Sequence, residues 1–123
     1  MALKIKWPKL FEREIPIYGG RVVFVPSIDK WKECASFLIG GENFEIPNGS
    51  GAHQQFLSEK ESVYLVGVFD KSRRTLVHEI AHCSFRVLWH AGVEVSPDGR
   101  NEAYCYLLDT LYEILEPGLR AKR

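Results

Sequence analysis

The chain has 123 residues, with 16 Lys plus Arg against 16 Asp plus Glu, so its formal net charge is zero. Hydrophobic residues make up 46% and charged residues 26%, a globular composition that excludes a disordered or fibrous chain. The zero balance removes bulk attraction to nucleic acid or anionic lipid, and no apolar run approaches the roughly 20 residues that span a bilayer.

This length suits one domain with a core large enough to fold without disulfide or structural metal. The first residues, Met1 to Pro8, contain no apolar stretch with a small-residue cleavage site and do not read as a secretion signal. Three cysteines, Cys34, Cys83 and Cys105, form no CxxC pair, so reduced thiols in a cytoplasm are the simplest expectation.

In chain order, Glu14 to Ile17 and Arg21 to Val25 are β-prone and flank Tyr18-Gly19-Gly20, which predicts a hairpin over residues 14–25. Pro16 has no N–H for a ladder, so the first of these strands should lie at an edge. Ser27 reads as an N-cap. Ile28, Trp31, Ala35 and Leu38 then recur at helical spacing until Gly40-Gly41. Residues 40–55 are rich in glycine and read as a loop, a lid or wall for a site or a plain connection. Residues 54–58 read as a short strand, and Glu61 to Phe69 as a stronger one, apolar enough to lie inside a sheet. Residues 71–91 read as one long helix closed by Gly92. Residues 101–115 read as another, stopped by Pro117-Gly118 and followed by a frayed basic tail. The order predicts an α+β fold, a small antiparallel or mixed sheet with helices packed on one face.

The chemistry sits in His78-Glu79-Ile80-Ala81-His82, an HExxH. On a helix, residues four apart share a face, so both imidazoles can reach one ion at about 2.0–2.1 Å. Glu79 lies about 100° round the helix, flanking the ion and able to take a proton from a metal-activated water. The motif occurs once, inside a strong helix pattern just after a strand. The ordinary alternative is a pair of solvated helix-face histidines.

A zinc site needs a third protein ligand. His90 lies eight residues past His82 on the same helix, about 12 Å further along its axis, too far to share the ion. It suits the helix C-terminus instead. Glu102 opens the next helix, 20 residues after His82, and a tight antiparallel return would bring it beside the motif. Its ordinary alternative is an acidic first-turn residue matched to the helix dipole. Cys83 points away from His82 and reads as a small core residue.

His78-Glu79-x-x-His82 followed by Asn101-Glu102-Ala103 resembles the zincin metallopeptidases of gluzincin type, over residues 63–115. In size the chain is similar to the minimal zincin-like proteins of phages and mobile elements, including the ImmA/IrrE-type peptidases. The resemblance implies a cytoplasmic zinc peptidase acting on a protein or peptide. His78, His82 and Glu102 would hold Zn2+, and Glu79 would be the general base. An extended substrate would add along the sheet edge at residues 54–58.

There are departures from the pattern. Where the thermolysin pattern has an Asp that orients the first motif histidine, this chain has Tyr106. Tyr106 is therefore the candidate for orienting His78 or stabilising the oxyanion, with Tyr104 and Tyr112 as further candidates. The alternatives to an enzyme are a non-catalytic zincin-like binding or regulatory protein, and a structural protein whose histidines bind nothing. Lys71 to Arg74 and Leu119 to Arg123 are short charge runs, read as solvated faces rather than nucleic-acid contacts. At this size a peptidase would choose its substrate through the groove itself or through a partner protein.

Overall fold

A computed structural model of the chain describes residues 6–120. Its elements are β1 (Phe11–Glu14), β2 (Arg21–Val25), α1 (Ile28–Ile39), β3 (Gly51–Leu57), β4 (Ser62–Val68), α2 (Arg73–His90), α3 (Glu102–Leu115) and the short α4 (Pro117–Arg120). The four strands form one mixed sheet in the order β1-β2-β4-β3, with β2 parallel to β4 and the other two pairs antiparallel. The fold is α+β, as the element order predicts.

β2 and β4 occupy the centre because both of their faces are apolar. In β4, Tyr64, Val66 and Val68 face α2 and α3, together with Val22 and Phe24 of β2. The alternate residues, Val63 and Leu65 with Val23 and Val25, face Trp31, Cys34 and Ala35 of α1. Strands buried on both faces read as continuous apolar runs, and the parallel β2–β4 pair requires a crossover between them. The helices therefore cover both faces of the sheet, not one. That corrects the expectation of a single covered face, which overlooked that RVVFV and SVYLVGV leave no polar side for water.

The first hairpin strand also lies earlier than expected, at residues 11–14 in place of 14–17. Pro16 cannot donate to a ladder, and Ile17 takes φ 68° with its side chain in solvent, so the chain turns there. The edge position of this strand holds. α1 begins and ends as expected: Ser27 Oγ accepts from the Lys30 N–H at 3.2 Å, and Gly40 closes the helix at φ 79°. β3 spans Gly51–Leu57 and forms the opposite edge of the sheet, so it contains most of the predicted strand at 54–58. α3 ends at Leu115, before Pro117-Gly118 as expected, but the chain then turns into a further short helix. Proline is tolerated in a first helical turn, and residues 117–120 form α4 with Gly118 buried against the Phe24 ring. The remainder of the predicted frayed tail, residues 121–123, lies outside the described residues. No helix among the described residues is long and apolar enough to cross a membrane.

Candidate metal centre

α2 carries the motif. Ser72 caps it, accepting from the N–H groups of Arg74 and Thr75 at 3.1 and 3.3 Å. Leu76, Ile80, Cys83, Val87 and Leu88 form its buried stripe at the three-and-four spacing of an amphipathic helix. Ser84 lies within that stripe and is satisfied by donating to the Ile80 carbonyl at 2.9 Å. His78 and His82 fall beside the stripe, on the exposed side.

Glu79 sits at the boundary and is only 7% exposed. The ligand atoms of His78, Glu79 and His82 all lie within 4.8 Å of one another, and the two imidazole centroids are 4.9 Å apart. Two neutral imidazole nitrogens and a carboxylate oxygen suit zinc, and they also suit other first-row divalent ions. The three donors lie close enough together to hold one cation. Burial raises the Glu79 pKa above the ordinary carboxylate value, while His78 and His82 pull it partly back.

The burial of Glu79 depends on a close approach between α2 and β3. A Cβ on Gly51 would stand 2.5 Å from Thr75 Cγ2, 2.7 Å from the Gly67 carbonyl oxygen and 3.1 Å from Glu79 Cγ. Only glycine lets the edge strand lie this near the helix. Beyond Gly51 the two elements diverge into a groove of about 710 Å³. Residues 52–55 of β3 line one side, and Glu79, His82, Phe85 and Arg86 of α2 line the other. No described strand pairs with the outer side of β3, so its backbone there is free to take one.

His53 is a groove residue that the sequence reading missed. Its Nε2 is shut from solvent and has no hydrogen-bond partner among the described residues, and its ring stacks at 6.4 Å on Tyr64. Burial, with the nearby positive charge of His82 and Arg86, lowers its pKa from 6.5 to about 4. A lone histidine on a strand has no spacing signature. Only the antiparallel register, which pairs His53 with Val66 on the α2 side of the sheet, brings it to the groove.

The other expected site residues are placed less closely. Glu102 occupies the first turn of α3, exposed, with no ion pair among the described residues, and does not join the His78–Glu79–His82 group. Its helix does meet α2 beside the motif. The Tyr104 ring lies 4.4 Å from that of Phe85, and its hydroxyl donates to the Ala81 carbonyl at 3.4 Å. Tyr106 is 67% exposed and makes no hydrogen bond among the described residues. His90 ends α2 with Nε2 3.4 Å from Ser62 Oγ, and Cys83 is fully buried in the core, both away from the metal group. In the loop before β3, residues 45–48 line a smaller cavity of about 220 Å³ with Trp31 and residues 52–54, and Ser50 lines another of about 350 Å³ with Gly51, Arg74, Thr75, His78 and Glu79.

Compared with known protein families, with curated proteins and with solved structures, the chain matches none at a significant level.

Proposed function

We propose that the chain is a zinc-dependent metallopeptidase in which His78 and His82 hold the ion and Glu79 is the general base. The observation that carries this reading is the pairing of two exposed imidazoles with a buried carboxylate, at the mouth of a groove bounded by a free sheet edge. A bound zinc would supply a polarised carbonyl and a water acidic enough to ionise near neutral pH. Glu79, with its pKa raised by burial, suits a group that accepts a proton from such a water and passes it to a leaving amine. The outer edge of β3 would align an extended peptide by main-chain hydrogen bonds. Glu102 is the third ligand in this reading, since it is exposed, free of ion pairs among the described residues and on the helix that packs beside the motif. Of the α3 tyrosines, Tyr104 touches the motif turn and is better placed than Tyr106 to support it.

Metal analysis and a proteolysis assay test this. Purified protein should carry about one zinc per chain. His78→Ala and His82→Ala should each lose most of it, and Glu79→Gln should keep it while abolishing cleavage of an unfolded protein substrate. Full metal retention in both histidine variants would remove the site. Undiminished cleavage by Glu79→Gln would remove its role as base.

A second reading is a non-catalytic metal-holding binding module. It is favoured by the position of Glu102 outside the compact group. Zinc bound at full occupancy with no cleavage of any substrate by the wild-type chain would select it.

A further inference from the structure

The groove holds one fixed positive charge, Arg86, which lies one helical turn beyond His82 on the same side of α2. Arg86 forms no salt bridge among the described residues, and its guanidinium stands 5.8 Å from the centre of the Trp89 ring. The groove's one carboxylate, Glu79, is buried and belongs to the metal group. His53, across the groove, has its Nε2 shut from solvent, which leaves Arg86 as the group able to meet a ligand there. The groove therefore offers a guanidinium without an acceptor among the described residues, at the end away from the motif's first histidine.

We infer that Arg86, on the α2 wall of the groove opposite β3, forms a subsite for a carboxylate of the bound peptide. This rests on the reading of the groove as a peptide site. A guanidinium presents two parallel N–H groups that match a carboxylate better than any neutral group does. Its distance along the helix sets the position. Four residues of helix advance about 6 Å, and an extended peptide advances about 3.3 Å per residue. The carboxylate thus belongs within about two residues of the bond presented to His78 and His82. A Glu or Asp side chain and a free C-terminus carry the same group, and either fits.

The test uses immobilised hexapeptides with a single Glu, or the matched Gln, at each position in turn, each ending in a free carboxylate or an amide. Zinc-loaded Glu79→Gln protein reads binding without cleavage, and zinc-loaded wild type reads cleavage by mass spectrometry. The acid form should bind about tenfold better than the matched amide form, the size of one charge-assisted contact at a solvated rim. The Arg86→Gln exchange should bring that ratio to about one; Arg86 is exposed, so folding is unaffected. The side-chain and C-terminal arms identify which carboxylate is read. Equal binding of acid and amide forms, or a preference that survives Arg86→Gln, overturns the inference. Acid-selective binding with no cleavage leaves the inference standing and overturns the peptidase reading. Cleavage without acid preference does the reverse, and neither binding nor cleavage overturns both.

Discussion

Gly51→Ala is the sharpest probe of the contact that shapes the site. The added Cβ would meet the Gly67 carbonyl oxygen at 2.7 Å, and a backbone oxygen inside a sheet cannot rotate away. It would also meet Thr75 Cγ2 at 2.5 Å. Turning Thr75 aside breaks the hydrogen bond its hydroxyl donates to Asp70 at 2.7 Å, a loss of roughly 1 kcal/mol. Overpacking of this kind costs typically 1–3 kcal/mol. Against this, alanine is favoured over glycine by roughly 0.5–1 kcal/mol through the unfolded chain. The net destabilisation should be about 2 kcal/mol. Urea unfolding reads it as a midpoint lowered by about 1 M, for a slope of roughly 2 kcal/mol per M. Gly49→Ala is the control, because the nearest atom to its Cβ is 3.8 Å away, so its midpoint should barely move. If Gly51→Ala is as stable as Gly49→Ala, β3 does not lie against α2 this closely, and the burial of Glu79 loses its cause.

Metal-free protein should lose stability as pH falls from about 6.5 to about 4, because the unfolded chain protonates His53 in that window while the folded chain resists. The contribution is about 3 kcal/mol at 1.36 kcal/mol per pH unit, and urea titrations at several pH values should show His53→Asn losing that part of the slope. Glu79 acts with the opposite sign. Its raised folded pKa makes the ionised form costly in the metal-free chain above the ordinary carboxylate range. Glu79→Gln should therefore stabilise the metal-free protein at neutral pH, with the gain vanishing as pH falls to about 4, and an equal gain at both ends would refute the burial argument. Glu102→Gln should weaken zinc binding roughly tenfold or more if Glu102 swings in as a ligand. Unchanged affinity by chelator competition would leave the ion on the α2 residues alone.

Much of this architecture is legible in local chemistry. Ser27 and Gly40 bound α1 because a hydroxyl cap and a left-handed glycine act within a few residues. The apolar run of β4 announces an interior strand for the same reason. What fails to show is whatever depends on packing between distant segments. The parallel pairing of β2 with β4 forces α1 onto the second face of the sheet, and no residue of α1 encodes that choice by itself. The hairpin shifts by three residues because Ile17 takes a positive φ, which a β-branched residue resists and a propensity reading would never assign.

The site divides along the same line. The spacing of His78 and His82 is a property of one helix and survives any tertiary arrangement. Tyr104 and Tyr106 differ by two positions, a rotation of about 200°, and only the packing of α3 on α2 decides which of them meets the motif. His53 and Gly51 acquire meaning solely through the β3–β4 register and the approach of α2. Glu79 joins the two levels. Its place in the motif comes from local spacing, yet its burial comes from a glycine 28 residues earlier that lets a strand lie over it. A histidine pair alone would be a loose, solvated candidate for an ion. The strand adds a largely buried carboxylate and a bounded groove, so the edge strand shapes the candidate site as directly as the helix that bears the motif.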